Sequence, residues 1–231
     1  MVNLQPSGTP VDTSPAALSI LRRRFLFSGF AFAVSGLAGC VDNSGPEALP
    51  KALTASEIAK LRARYAAEPH VFPLVDRRAF RPELLPTTVQ SPYNDRAGSI
   101  IVNTQATHLY LQLKDGKARR YGIGVGSEAA DWVGSCYVGR KSAWPDWRPT
   151  PSMRRSNPQL PEVVAGGAGN PLGARALYLY RNGLDTVFRI HGTPQPWTIG
   201  KRESSGCIRM VNEDAIELFG LVRIGAGVRK I

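Results

Sequence analysis

The chain is poor in thiols and imidazoles. Its 231 residues include three cysteines and three histidines. That is too sparse for the three or four clustered ligands of a zinc centre. Three thiols cannot all pair among themselves, which excludes a disulfide scaffold. Internal repeats and low-complexity arrays are absent. One charge-free apolar run, Phe25 to Gly39, stands near the N-terminus. As helix it would span about 22 Å at roughly 1.5 Å per residue, short of a bilayer core of about 30 Å. Acidic side chains are scarce, 18 against 29 Lys and Arg, for a formal charge of +11. Such a balance points to an anionic partner or surface, but no nucleic-acid recognition motif accompanies it.

With 43% apolar and 20% charged residues the chain is globular, and 18 prolines and 23 glycines argue for many turns and against a helical bundle. Residues 1–40 read as an address. A polar stretch rich in Pro, Ser and Thr leads to Arg22-Arg23-Arg24, then the apolar run, then Leu37-Ala38-Gly39-Cys40. The short run favours a cleaved export signal over a permanent transmembrane helix. Arg22 to Leu26 resembles the core of a twin-arginine signal. Leu37 to Cys40 looks like a lipobox, in which Cys40 becomes the lipidated first residue of the mature chain. An ordinary secretory signal ending in Cys and an uncleaved anchor are the alternatives. Under each, the remainder works outside the cytoplasm, in the periplasm or cell envelope, where no nucleic acid awaits it. Without residues 1–40 the count is 26 basic against 17 acidic side chains, a charge of +9, so the basic character belongs to the working part.

Residues 41–96 read as a linker with one short helix. Thr54-Ala55-Ser56-Glu57 has capping-box spacing, and Ile58, Leu61 and Tyr65 follow at helical intervals. Pro69 is expected to end that helix, and five prolines keep the chain irregular up to Gly98. From 97 to 231 the pattern is mostly β. Ser99–Val102, His108–Leu113 and Arg120–Val125 predict strands, with Asp115-Gly116 a strong hairpin signal. Cys136–Val138, Ala176–Tyr180, Thr186–His191 and Val228–Ile231 add four more. Between them Gly139–Gly173 reads as a long loop or lid without regular structure. One late helix is expected from Asn212 to about Val222, with Asn212 as its N-cap and Glu213 and Asp214 in the first turn.

The stretch His191–Met210, HGTPQPWTIGKRESSGCIRM, carries the chemistry. A free thiol of pKa about 8.5 is mostly unreactive, and a neighbouring imidazole or cation converts it to the thiolate that attacks carbonyls. His191 and Cys207 supply such a pair if the fold brings them together. Lys201, Arg202 and Arg209 favour the thiolate, and Gly206 lets backbone N–H groups approach a developing oxyanion.

This segment is similar to the catalytic motif of the L,D-transpeptidases of the YkuD family, which carry H-G-x and then [S/T]-[H/S]-G-C-[I/V]-R. Gly166-Gly167 and Gly169 through Leu179 resemble the stretch before the histidine strand in a proteobacterial branch. Trp144-Pro145-Asp146-Trp147, with Pro149 and Met153, resembles that branch's lid. The resemblance covers residues 97–231 and implies a mixed β-sheet or β-sandwich domain. It implies Cys207 as nucleophile, His191 as its base and the Gly192 carbonyl as the group orienting the imidazole. Amides around Gly206 and Cys207 would form an oxyanion hole, and Arg209 would steady the site and meet a substrate carboxylate. Ser205 stands in the substrate-facing motif where many members have a second histidine. The longer Trp/Pro-rich segment replaces the family's short turn.

The implied reaction is acyl transfer on peptidoglycan. Cys207 forms a thioester with the third residue of a tetrapeptide stem, releases D-Ala, and passes the acyl group to an amine, giving a 3–3 crosslink. No metal or organic cofactor is required. Water, a D-amino acid or the lysine of an envelope lipoprotein can replace the amine. An L,D-carboxypeptidase and a non-catalytic wall-binding lipoprotein are the competing readings. Trp144, Trp147 and Trp197 either line a substrate groove or pack the lid.

Overall fold

The computed structural model describes residues 53–126, 134–202 and 207–231. The export signal, Cys40, residues 41–52 of the linker segment, Ser205 and Gly206 lie outside the described residues.

Among the described residues, ten strands form one mixed sheet: β1 (Thr87–Gln90), β2 (Ile100–Asn103), β3 (His108–Gln112), β4 (Lys117–Gly122), β5 (Gly124–Val125), β6 (Ser135–Ala143), β7 (Arg175–Arg181), β8 (Leu184–Thr193), β9 (Ile208–Val211) and β10 (Gly227–Lys230). Their order is β1-β4-β3-β2-β10-β6-β7-β8-β9-β5. The β10–β2 and β8–β9 pairs are parallel and the rest antiparallel. Only Ile123 separates β4 from β5 in the chain, yet β5 is the far edge of the sheet. The sheet must therefore curl over until its two ends meet. The enclosed core holds Ile100, Leu109, Tyr121, Leu179, Ile190 and Met210, closed by Leu218 of the late helix. Their removal from water is the main favourable contribution to this fold.

Three α-helices accompany the sheet among the described residues: α1 (Ala55–Ala63), α2 (Pro151–Ser156) and α3 (Asn212–Leu221). The α1 capping box is present, with Thr54 Oγ1 accepting from Glu57 N and Thr54 N donating to the Glu57 carboxylate. Asp115 and Gly116 sit at φ 58° and 66°, the paired left-handed residues of a type I′ hairpin turn between β3 and β4.

Several expectations are corrected. Residues 120–125 are not one strand, because Ile123 breaks the ladder to donate to Thr107 O at 2.9 Å. The helix α1 ends at Ala63, six residues before Pro69. The proline-rich lead-in contains β1, which pairs along β4 and has only Val89 half-buried to signal it. The segment 139–173 is not structureless. Strand β6 runs on to Ala143, Thr150 caps α2 through Met153 N, and Trp147 bridges to Val164. Asn212 is not the N-cap of α3; Val211 holds that position, and the Asn212 side chain turns inward.

Candidate active site

Strand β8 ends in the buried run Ile190-His191-Gly192-Thr193. A parallel partner, β9, sets His191 level with Arg209 and Ile190 level with Ile208. Cys207 is the residue entering β9, so this register brings it beside the Arg189–His191 stretch of β8. The sequence separates the two by sixteen residues; strand pairing brings them together.

The imidazole is held tightly. His191 is 6% exposed, and its Nδ1 lies 2.6 Å from Gly192 O. A carbonyl only accepts, so Nδ1 carries the hydrogen and Nε2 keeps its lone pair. Burial pushes the His191 pKa down to about 4, with Arg209 and Arg189 adding to the effect and the Gly192 bond opposing it. The ring is therefore a neutral base near pH 7 rather than a standing cation.

The backbone beneath it is closely fitted. Asn212 Oδ1 accepts the Ala174 N–H at 2.9 Å in a buried contact. A Cβ on Gly192 would sit 2.2 Å from that same oxygen, and one on Gly173, at φ +60°, would meet it equally closely. Both positions need glycine for space, and Gly173 also for its conformation. This cradle holds the carbonyl that orients His191.

The thiol faces a bulge. Between Tyr178 and Tyr180 of β7 the pairing with β8 shifts. Val187 in the bulge has φ 66°, an uncommon state for a β-branched residue. Asp185 Oδ1 accepts from Val187 N at 2.8 Å, and Thr186 Oγ1 donates to Leu179 O at 2.7 Å. The bulge brings Val187 O to 3.9 Å from Cys207 Sγ.

Cys207 opens into a cleft of about 470 Å³ shared with Trp147, Met153, Leu172, Tyr178, Arg140 and Arg189. Of the three tryptophans, Trp147 lines this cleft. Trp144 is buried on Phe72 and His70 and donates through Nε1 to Glu68 at 2.8 Å. Trp197 is 64% exposed beside another groove. Arg209 stands between β5 and β8, level with Gly124 and His191, and is half-buried, which lowers its pKa while Cys207 opposes that. His108 meets Glu83 O at 2.9 Å, away from the cleft. Cys136 is buried in the core, and neither it nor Cys207 is in a disulfide. Among the described residues no cluster of three or more His, Cys, Asp or Glu suits a metal ion. Also among them, no helix is long and apolar enough to cross a membrane.

Sequence reasoning missed Asn212 as a backbone anchor, the Val187 bulge, and the cleft pair Arg140 and Arg189. Periodicity gives no signal for any of them. Only the register of β6, β7 and β8 shows which strand residues share the cleft.

The model of the YkuD family, the L,D-transpeptidase catalytic domain, matches residues 97–229. The chain belongs to the YkuD family. The probable L,D-transpeptidase ErfK/SrfK of Escherichia coli is 35% identical over 64% of this chain and 46% of its own length. The probable L,D-transpeptidase YcfS of the same organism is 32% identical over 83% of this chain and 60% of its own. A crystal structure described as a probable carnitine operon oxidoreductase from Brucella melitensis is 40% identical, covers 64% of this chain and 93% of that one, and has a TM-score of 0.46. The chain spans about half the length of the first curated relatives it matches. In this YkuD domain the match begins at residue 97, but residues 65–84 are packed onto it. Glu68 pairs with Arg175, Arg77 with Asp214, and Leu84 is buried against Gly122 and Gly200.

Proposed function

We propose that the protein is a cell-envelope L,D-transpeptidase whose nucleophile is Cys207 and whose base is His191. The observation that carries this reading is the His191 Nδ1–Gly192 O bond of 2.6 Å, which aims the free Nε2 away from the backbone on the strand adjoining Cys207. Nε2 takes the thiol proton as Sγ attacks the carbonyl of the third residue of a peptidoglycan tetrapeptide stem. The new C–S bond forms, the bond to D-Ala breaks, and the imidazolium returns its proton to the departing amine. A second amine, typically on a diaminopimelate side chain, then attacks the thioester and frees the thiol, leaving a 3–3 crosslink. Backbone N–H groups of Gly206 and Cys207 are assigned to the oxyanion, Ser205 to the substrate-facing loop, and Arg209 to steadying the strand beside the pair. Water or the lysine of an envelope lipoprotein competes for the same thioester.

Residues 1–40 are assigned to export and Cys40 to lipid anchorage, residues 41–96 to the linker and strap, and 97–231 to catalysis. The net charge of the working part suits a carboxylate-rich wall polymer.

The decisive experiment incubates the protein and its Cys207→Ala variant with purified disaccharide-tetrapeptide and reads products by mass spectrometry. A dimer lacking one D-Ala, absent with Cys207→Ala, supports transpeptidation. Tripeptide alone identifies a carboxypeptidase. Turnover retained by Cys207→Ala removes the nucleophile assignment.

A further inference from the structure

One row of residues across three neighbouring strands opens on the Cys207 cleft. Arg140 on β6 is the Cα partner of Tyr178 on β7, which is the partner of Arg189 on β8. All three line the cleft. Both guanidinium groups lie over the Tyr178 ring, with Cζ of Arg140 3.4 Å and Cζ of Arg189 4.3 Å from its centroid. Register shifts next to Arg140 in the β6–β7 pair and next to Tyr178 in the β7–β8 pair mark this row off from the regular ladder.

The two cations are not equivalent. Asp185 accepts from both terminal nitrogens of Arg189, at 2.6 and 2.8 Å, and balances its charge. Arg140 is exposed and lies against the ring face, with no carboxylate partner among the described residues. Arg148, exposed in the same cleft, has no carboxylate partner among the described residues either. A guanidinium whose Cζ lies 3.4 Å from a ring centroid is attracted to the ring face, and its donors form a rigid planar fork. That geometry suits side-on binding of a planar carboxylate.

We propose that Arg140 is the carboxylate seat of the acyl-donor peptide, held ready by Tyr178, with Arg148 adding charge at the rim. The identity of the peptide rests on the transpeptidase reading; the seat itself does not. A tetrapeptide stem offers carboxylates within the stem, on the diaminopimelate side chain and at the D-Ala terminus, and the seat's chemistry is common to all three.

The test on the seat uses two small alkylating agents on the full chain, iodoacetate and iodoacetamide, with labelling of the Cys207 peptide read by mass spectrometry. They differ by one carboxylate, so the ratio of their rates cancels changes in thiol reactivity. Arg140→Gln should lower the iodoacetate-to-iodoacetamide ratio about three- to tenfold, with the difference shrinking at high salt, and Arg140→Lys should restore part of it. A ratio unmoved by Arg140→Gln overturns the seat. With tetrapeptide, Arg140→Gln should raise KM several-fold with kcat little changed. Stems amidated at each carboxylate in turn identify the group bound, because the right amide abolishes the effect of the substitution. A lowered ratio with an unmoved KM overturns the donor assignment. A lowered ratio without any tetrapeptide turnover by the unaltered protein sinks the transpeptidase reading and leaves the seat. Turnover with both quantities unmoved does the reverse.

Discussion

Arg77 and Asp214 meet through two hydrogen bonds of 3.0 and 2.7 Å across 137 residues of chain. Asp214 is 2% exposed, in the first turn of α3, and Arg77 comes from the strap that precedes the matched domain. Next to it Glu213 Oε1 accepts from Val75 N at 2.8 Å. The acids that open α3 therefore hold the strap as well as complementing the helix dipole.

Arg77→Ala should destabilise the fold by about 2–4 kcal/mol, because it leaves Asp214 buried without its partner. Burial already raises the Asp214 pKa against the pull of Arg77, so the loss should be largest at neutral pH and shrink as the carboxyl protonates. Urea unfolding at pH 7 and pH 5 measures this. Equal losses at the two pH values would contradict it.

The Gly192–Asn212 contact predicts a coupled pair. Gly192→Ala places a Cβ 2.2 Å from Asn212 Oδ1 and should be strongly destabilising. Asn212→Ala alone removes the acceptor for Ala174 N–H, at a cost of about 1–3 kcal/mol. The double variant should be more stable than the sum of the two losses allows, since removing Asn212 relieves the clash. Strict additivity in a double-mutant cycle would show that the contact is not the source.

His191 predicts a pH dependence with a definite sign. Its folded pKa of about 4 lies below the ordinary 6.5, so the unfolded chain binds the proton first. Stability is then complete above pH 6.5 and falls as pH drops towards 4, by roughly 3 kcal/mol in the limit. His191→Gln should flatten that part of the pH profile. Denaturation midpoints from pH 7 to 4 compare the two chains.

The two described thiols should differ sharply in reactivity. Burial pushes Cys136 up to about 12, whereas Cys207 opens on the cleft. A maleimide at pH 7.5 should label the Cys207 peptide of the folded protein and leave Cys136 unmodified until denaturant is added. Labelling of both at equal rates would mean the core is open.

Much of this protein is local and so readable along the chain. The Thr54–Glu57 capping box and the Asp115-Gly116 turn are each complete within four residues, because their hydrogen bonds close between near neighbours. The HGTPQPWTIGKRESSGCIRM segment likewise carries its family signature in its own residues. What the tertiary structure alone decided depends on pairing between distant strands. Asn212 looks like a helix cap because its amide has the right chemistry for one, but the buried Ala174 N–H lacked a partner and took that oxygen instead. Strand β1 exists because β4 offers it a free edge, not because Thr87–Gln90 alternates. Arg140, Tyr178 and Arg189 lie up to 49 residues apart and become one row only when β6, β7 and β8 take their register. Sequence periodicity records which face a strand buries, whereas register, set by the whole sheet, decides which exposed side chains become neighbours.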